Sequence, residues 1–380
     1  MQNMLAYAQS KQNELISFLQ ELVECESPSD NPAAISRFVE LFASRVGDIA
    51  KLRTLKASKG YGPHVLCEFK LPGRGKDGQI LALGHSDTVY PLGTLASMPW
   101  REDGGRLRGP GVLDMKAGVA FFVYAMRGII ELDRPVRRKV VLQLNSDEEV
   151  GSPSSRALTE EQARQSRAVL VLEPGTGLEG KPKTARKGIG DYTVRVHGKA
   201  AHAGVDFSAG ASAIVELARQ IEVVAGFTGI RRGLTVNPGV ITGGTRSNVI
   251  AAEASAEIDF RVERLKDADT LAKKFSALKP LDKRCRLDIS GGLNRPPMER
   301  SRGGVELFRK AQALAREIGI SLEESSTGGG SDGNFTAALG IPTLDGIGAV
   351  GVGAHSPDES ILIDRIADRT AVLAGLVTSL

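Results

Sequence analysis

Acidic and imidazole side chains stand at the ends of apolar runs at five places in this sequence of 380 residues. Sites in open α/β sheets usually form where buried strands end, so such side chains could bind a metal ion or transfer protons there. The five places are "ALGHSDTVYPLG" with His85 and Asp87, "RGPGVLDMKAG" with Asp114, "LNSDEEVG" with Asp147, Glu148 and Glu149, "VLEPG" with Glu173, and "GVGAHSPDE" with His355.

Each of these places also has a simpler structural interpretation. A single histidine such as His85 is usually a structural residue after a strand, and Asp114 could cap the helix that follows it. The "DEE" run could be a solvated loop, Glu173 a strand-end acid facing water, and "HSPDE" the N-cap of a last helix. Taken singly, none of the five places decides between these interpretations.

One metal site would explain all five places together. Acids at buried strand ends cost free energy unless a positive charge compensates them. Two histidines and three carboxylates suit two zinc ions, each binding one histidine and one carboxylate, with a shared aspartate as the bridge. Glu148 is adjacent to a ligand in sequence but would point elsewhere, which leaves it free to act as a base.

The elements that must position these residues follow an α/β order. Amphipathic helices are predicted from about 4 to 24 and from 32 to 46, and "AGVAFFVYAMRGIIEL" (117–132) has the length and composition of a helix. Continuous apolar runs, typical of strands buried on both faces, are "HVLCEF" (64–69), "QILALGH" (79–85), "KVVLQLNSD" (139–147) and "AVLVLE" (168–173). A sheet with helices on its faces is therefore predicted.

The pattern changes near residue 187. Alternating strands and two helices follow in the order β-α-β-β-α-β, which indicates a ferredoxin-like α+β unit. After about residue 296 the first pattern returns, with a helix at 303–319, the loop "TGGGSDGNF", the short run "IPTLDGIGAVG" and a last helix from about 359. We predict an α/β catalytic domain of residues 1–187 and 297–380, interrupted by a smaller domain of residues 188–296.

The overall composition excludes several classes of protein. Hydrophobic residues make up 41% and charged residues 25% of the chain, which are ordinary globular values, and the length suggests two domains. The net charge is +4 and the basic residues are dispersed, so nucleic acid is not the expected partner.

Cysteine spacing and hydropathy indicate the cellular compartment in which the protein is expected. Cys25, Cys67 and Cys285 are far apart and form no CxxC pair, which indicates a reducing compartment and argues against thiolate zinc. We recognise no signal peptide, and no run approaches the roughly 20 apolar residues needed to cross a bilayer. A cytoplasmic protein without a membrane partner is expected.

The motifs, taken in order, resemble one enzyme family. "GHSDTVYP", "GPGVLDMKAG", "DEEVGS", "LEPG", "GKAAHAG", "GGGSDGNF" and "GAHSPDE" are similar to those of the co-catalytic zinc metallopeptidases, which include glutamate carboxypeptidase, acetylornithine deacetylase, succinyl-diaminopimelate desuccinylase and aminoacylase. Any one of these motifs is weak evidence for the family, whereas the ordered set covers nearly the whole chain. The insert and its flanks most resemble glutamate carboxypeptidase.

This resemblance implies two Zn²⁺ ions per subunit, with Co²⁺ or Mn²⁺ as substitutes. One ion would bind His85, Asp114 and Glu173, and the other Asp114, Glu149 and His355. Asp87 would accept a hydrogen bond from the free nitrogen of His85 and fix its tautomer. Glu148 would be the general base, and the peptide bond from Asp114 to Met115 would be cis.

The resemblance also assigns residues to the substrate. His202 in "GKAAHAG" would stabilise the oxyanion from the lid domain of a partner subunit, whereas a capping role is the alternative. Substrates of this branch carry a carboxylate beside the scissile amide, which Arg261 and Arg295 would bind, with Asn248 beside them. The loop with Gly329 and Ser331 would offer backbone donors, unless it is only a glycine-rich turn entering a helix.

Three functions remain open at this point. The first is a carboxypeptidase that releases a C-terminal glutamate or a similar residue from a peptide or N-acyl amino acid. The second is an N-acyl amino acid deacylase of the acetylornithine deacetylase or desuccinylase type. The third is a non-catalytic, metal-binding dimerisation scaffold, against which the presence of Glu148 and all five ligands speaks. Exposed strand edges in the insert predict a homodimer through the lid domain.

Overall fold

Helices and strands alternate along the chain in the computed structural model, which describes residues 1–74 and 76–380. The helices are α1 Gln2–Ser10, α2 Gln12–Glu24, α3 Pro32–Val46, α4 Ala117–Glu131, α5 Arg156–Arg164, α6 Ala213–Ala225, α7 Leu265–Ser276, α8 Arg302–Arg316, α9 Gly333–Ala338 and α10 Ile366–Ser379. The strands are β1 Ala50–Leu55, β2 His64–Phe69, β3 Gln79–His85, β4 Arg101–Asp103, β5 Arg106–Arg108, β6 Lys139–Asn145, β7 Ser166–Val171, β8 Lys183–Arg186, β9 Gly188–His197, β10 Thr235–Gly243, β11 Glu253–Val262, β12 Arg286–Arg295, β13 Ser325–Thr327, β14 Thr343–Leu344, β15 Gly351–Val352 and β16 Ser360–Leu362.

The predicted buried strands form the centre of a six-stranded mixed sheet. Its order is β1-β2-β6-β3-β7-β14. The strands β6, β3, β7 and β14 are parallel to one another, β2 is antiparallel to β6, and β1 is antiparallel to β2. Every residue of β3 is buried, as expected of an apolar run covered on both faces. Both β2 and β3 begin and end where the sequence predicted, and the α/β fold class is confirmed.

Helices pack against this sheet and form the main core with it. The predicted helix α4 is almost wholly buried. Gly118 in its first turn lies so close to the sheet that a Cβ atom there would be 2.0 Å from the carbonyl oxygen of Leu172. Glycine thus lets the start of α4 approach the end of β7, close to the predicted ligand Asp114.

Two helix predictions need correction. The helix predicted from about 4 to 24 is divided at Lys11, where the Ser10 hydroxyl donates to the carbonyl of Tyr7 in the last turn of α1. The last helix begins at Ile366 and not at about 359. Residues 360–362 instead form β16, which pairs with β5.

The chain divides into two compact units. The larger contains residues 1–185, 300–327 and 331–380, and the smaller contains residues 186–299 and 328–330. Within the smaller unit the sheet order is β10-β11-β9-β12, fully antiparallel, with α6 and α7 packed against it. Burial alternates along β9 and β11, so this sheet has one covered face, in agreement with the predicted ferredoxin-like order.

Membrane-spanning helices are not found in the part of the chain that the structure describes. No helix there combines the length and the apolar character that crossing a bilayer requires.

Candidate metal centre

Strand register brings three of the predicted places to one edge of the large sheet. His85 lies opposite Asn145 in the parallel ladder of β3 and β6, and Leu83 lies opposite Val171 in that of β3 and β7. Two residues beyond Val171, Glu173 is therefore level with His85. The "DEE" run begins two residues after Asn145, so all three segments leave the sheet at the carboxyl ends of neighbouring strands.

A second pairing brings in the other two places. β5 and β16 are antiparallel, with Arg108 opposite Ser360. The residues that follow β5, including Asp114, therefore lie beside those that precede β16, including His355. The turn formed by residues 112–116 then leads directly into α4.

The side chains meet around the carboxylate of Asp114. Its Oδ1 lies 3.3 Å from Nε2 of His85, and its Oδ2 lies 3.3 Å from Nε2 of His355. Nε2 of His85 is also 3.6 Å from Oε1 of Glu173, and Nε2 of His355 is 3.1 Å from Oε2 of Glu149. Asp114 thus presents one oxygen to each histidine, which is the arrangement a carboxylate needs to bridge two cations.

Glu148 also faces this centre. One ligand atom each from His85, Glu148 and Glu173 lie within 4.8 Å of one another, and the same holds for His85, Asp114 and Glu149. The expectation that Glu148 points away from the ligands is wrong in this respect. A position beside the centre, where water would be activated, nevertheless suits a base.

The charges of the centre fit a divalent cation. Oε1 of Glu149 is buried and has no hydrogen-bond partner among the described residues, and burial raises the pKa of this carboxyl. The carboxylates of Asp114 and Glu149 raise the pKa of His355 to about 10. Burial opposes charge on His85, yet the carboxylates of Asp114, Asp87 and Glu173 raise its pKa well above the ordinary value. The carboxylates therefore keep both imidazoles protonated unless a bound metal ion displaces the protons. Imidazole and carboxylate together form a donor set that suits zinc.

Asp87 supports the acidic turn more than it supports His85. Its carboxylate accepts the backbone N–H groups of Glu148 and Glu149 at 3.2 and 3.1 Å and the hydroxyl of Ser29 at 2.7 Å. Nδ1 of His85 donates to the backbone carbonyl of Asp87 at 2.9 Å, while the carboxylate lies 3.5 Å away. Nε2 faces the centre as expected, but the acceptor nearest to Nδ1 is the carbonyl of Asp87 and not its carboxylate.

Glu359 has a structural role that the sequence analysis missed. Its buried carboxylate accepts the backbone N–H groups of Gly111, Leu113 and Asp114 at 3.1, 2.8 and 3.0 Å and the hydroxyl of Tyr90 at 2.6 Å. It fixes the loop that carries the shared aspartate. The only sequence signal was its position four residues after His355, in a stretch that also suits a helix cap.

The peptide bond between Asp114 and Met115 is cis, as the resemblance implied.

His64 is buried and contacts Ser146 and Ser154, and His197 lies between Glu253 and Asp288. Neither of these two histidines joins the centre.

Four predicted substrate residues belong to the smaller unit. His202 is exposed, and its Nδ1 accepts the N–H of Gly204 at 3.2 Å. The exposed Asn248 is brought beside it, because its carbonyl accepts the N–H of Ala203 at 3.0 Å. The guanidinium of Arg261 binds both carboxylate oxygens of Asp259, at 2.7 and 2.9 Å. Arg295, at the end of β12, is 4% exposed.

The glycine loop requires a correction. Ser331 is fully buried, its N–H donates to Oδ1 of Asn334, and its hydroxyl donates to Asp345 at 2.6 Å. It therefore offers no donor to a substrate, and this part of the loop serves as the entry to α9. The carbonyl of Gly329 accepts a hydrogen bond from Arg186, so that residue is held within the smaller unit.

The sheet, the carboxylate-rich edge and the bridging geometry are those of a metal-dependent hydrolase. Residues 81–379 match "Peptidase family M20/M25/M40", and the chain belongs to this family of metallopeptidases. Members of the family depend on a dinuclear metal site, which the donor set fits.

The individual relatives cover between 81% and 98% of the chain. Carboxypeptidase G2 of Pseudomonas sp. (strain RS-16) is 30% identical over 380 residues, covering 98% of this chain and 91% of its own. The succinyl-diaminopimelate desuccinylase of Thioalkalivibrio sulfidiphilus is 27% identical, with 81% and 85% covered. The structure of the aminopeptidase PepT of Bacillus cereus is similar in fold, with a TM-score of 0.81, 22% identity, and 97% and 98% covered.

Metal affinity should rise with pH. Because the pKa of His355 is raised to about 10, its imidazole carries a proton at neutral pH that must leave when a metal binds. We expect Zn²⁺ binding to release about one to two protons per chain and to tighten between about pH 6 and pH 9. Calorimetry in buffers of different ionisation enthalpy measures the release. His355→Ala should remove part of it, and affinity independent of pH would contradict the prediction.

Glu359→Gln should weaken metal binding. The amide nitrogen cannot accept the hydrogen bonds that one carboxylate oxygen now accepts, so the loop with Asp114 should loosen. We expect a roughly 10- to 100-fold loss of Zn²⁺ affinity in a chelator competition. The matched control is Asp358→Asn, an exposed neighbour that should leave affinity unchanged. Equal affinities in the two variants would show that Glu359 does not position the loop.

Proposed function

We propose that the protein is a zinc-dependent amide hydrolase acting next to a free carboxylate, and most specifically a carboxypeptidase that releases C-terminal glutamate or a similar residue. The observation that carries this proposal is the carboxylate of Asp114, whose two oxygens face His85 and His355 at 3.3 Å each. The full-length similarity to carboxypeptidase G2 supports the specific reaction.

In this proposal two zinc ions bind at the centre. His85, Asp114 and Glu173 would hold one, and Asp114, Glu149 and His355 the other. When bound, the ions would supply Lewis-acid activation of a water molecule and of the amide carbonyl. Asp87 and Glu359 position the backbone segments that carry these ligands.

Glu148 would move the proton in both halves of the reaction. Its carboxylate takes a proton from the attacking water as the water oxygen bonds to the amide carbon. It then passes that proton to the amide nitrogen, so the C–N bond breaks with a neutral amine leaving. The hydrogen bond from its N–H to Asp87 holds its backbone during both transfers.

Residues of the smaller unit would bind the substrate. We assign His202 as a donor to the oxyanion and Arg261 as the group that binds the substrate carboxylate, with Asn248 and Arg295 in support. Exposure of His202 and Asn248 supports their assignment. Arg261 would exchange the carboxylate of Asp259 for that of the substrate, a bidentate geometry that arginine suits.

An N-acyl amino acid deacylase is the second candidate. The similarity to succinyl-diaminopimelate desuccinylase supports it, and it would use the same centre. The position of Glu148 beside the predicted ligands speaks against a non-catalytic scaffold.

We also propose that the protein is a cytoplasmic homodimer formed through the smaller unit. The edge strand β10 exposes Val240 and Ile241, and α6 exposes Ile214 and Val215. An apolar edge of this kind is usually covered in an assembly.

Glu148→Gln should abolish turnover while keeping the metals. The amide cannot accept the proton of water, so we expect kcat to fall by about 10²- to 10⁴-fold. Metal analysis should still find the wild-type content. Glu161→Gln, an exposed change on α5, is the control and should keep full activity. Turnover near the wild-type rate in Glu148→Gln would contradict the assignment.

A substrate panel tests the reaction itself. N-acyl-glutamate should be hydrolysed by zinc-reconstituted protein and not by chelated protein, and faster than N-acetylornithine or succinyl-diaminopimelate. Arg261→Lys, which keeps the charge but loses the planar fork, should raise KM about tenfold or more with a smaller change in kcat. Cleavage of only N-acetylornithine and succinyl-diaminopimelate would show that the protein is a deacylase. Zinc binding with no cleavage would support the scaffold.

A further inference from the structure

His355 is the most exposed of the five predicted metal ligands. Its side chain is 49% exposed, whereas those of His85, Asp114, Glu149 and Glu173 are 1%, 15%, 6% and 9% exposed. Neighbouring side chains therefore restrict this imidazole less than they restrict the other four ligands.

The ring of His355 also lacks a restraint that His85 has. Nδ1 of His85 donates to the carbonyl of Asp87 at 2.9 Å, and such a bond at the second nitrogen usually fixes a metal-binding imidazole. Nε2 of His355 faces Asp114 and Glu149, but its Nδ1 has no hydrogen-bond partner among residues 1–74 and 76–380. The orientation of this imidazole therefore depends on its backbone.

The backbone of His355 has an unusual conformation. Its φ is 61°, in the left-handed region that residues other than glycine rarely adopt. Such a conformation persists where surrounding contacts hold it. One of these contacts is local, since the N–H and the hydroxyl of Ser356 both donate to the carbonyl of Gly353, at 3.0 and 2.9 Å.

Tyr90 supplies a second contact from another part of the larger unit. Its hydroxyl lies 3.0 Å from the carbonyl of Ser356, the residue after His355, and 2.6 Å from Oε2 of Glu359. Both of these oxygens are acceptors. Burial and the carboxylate of Glu359 raise the pKa of Tyr90, so the hydroxyl keeps its proton and donates it. One hydroxyl thereby joins both ends of the segment 356–359.

The segment that carries Tyr90 is anchored on both sides of this residue. Before it, the N–H of Thr88 donates to the carbonyl of Ser27 at 2.9 Å. After it, the N–H of Gly93 donates to the carboxylate of Glu26 at 2.8 Å. The phenol therefore extends from a fixed backbone to the turn that carries His355.

We propose that Tyr90 is a positioning residue for His355, an inference that rests on the proposed function. Its hydroxyl holds the carbonyl that follows the imidazole and so keeps Nε2 of His355 directed toward Asp114 and Glu149. Glu359 has a different task, because it supports the Asp114 loop through backbone N–H groups. Loss of the Tyr90 hydroxyl should therefore weaken the binding of one metal ion and not of the other.

Tyr90→Phe removes only the hydroxyl and is tested by titrating Zn²⁺ into the full chain against a chromogenic chelator. We expect one of the two Zn²⁺ affinities to fall about tenfold and the other to change by less than about threefold. Tyr61→Phe, a half-buried tyrosine between β1 and β2, is the control and should leave both affinities unchanged. Thermal melting of the chelated proteins shows that each variant is folded. Equal weakening of both ions, or of neither, would overturn the proposal.

A double-variant cycle tests whether Tyr90 acts through His355. In a His355→Ala background, Tyr90→Phe should not change the Zn²⁺ affinity that remains, because the ligand it positions is gone. A further tenfold loss there would overturn the proposal, since the hydroxyl would then act through Glu359 and the Asp114 loop. A wild-type chain that binds fewer than two Zn²⁺ ions would overturn the proposed function as well. Two bound ions with unaltered affinities in Tyr90→Phe would overturn the positioning role alone.

Discussion

Crowding of carboxylates at one edge of the large sheet is the constraint on which the rest of the metal centre depends. Asp114, Glu148, Glu149 and Glu173 lie around two imidazoles, and such a cluster is costly to bury without positive charge. The surrounding backbone is held by further carboxylates, those of Asp87 and Glu359, which accept N–H groups from the very segments that carry the ligands. The edge is therefore rigid in its backbone and negative in its side chains. When a metal ion is available, a rigid anionic site of this kind favours binding of the divalent cation over protonation of its histidines.

Sequence alone predicted the parts of the fold in which burial is two-sided. β2 and β3 are continuous apolar runs, so their ends coincide with the first polar or turn residues. The edge strand β1 has mixed burial and gave no such signal. The start of α10 was placed too early, since the three residues of β16 are ordered by pairing with β5, far earlier in the chain. Local pattern cannot report that pairing. The same pairing explains why the role of Glu359 escaped notice, because its hydrogen-bond partners lie about 250 residues away in sequence.

The candidate site divides in the same way. The motifs were enough to collect His85, Asp114, Glu149, Glu173 and His355, which the strand registers then bring to one place. The finer predictions depended on backbone geometry that residue types do not encode. Asp87 contacts His85 chiefly through its carbonyl, and Glu148 faces the ligands. The N–H of Ser331 is already hydrogen-bonded inside the turn that enters a helix. The roles of His202, Arg261, Arg295 and Asn248 in substrate binding remain proposals.

The interruption of the larger unit has a consequence for how the protein is made. His85, Asp114, Glu149 and Glu173 all precede the smaller unit in the chain, whereas His355 and Glu359 follow it. On the ribosome, the acidic ligands therefore emerge first and must wait for more than a hundred further residues before the loop of Asp114 gains its support. Domains generally fold as units during synthesis, so the smaller unit can fold while the larger one is still incomplete. The ligand set with both histidines, and the support of the Asp114 loop by Glu359, is thus complete only late in synthesis.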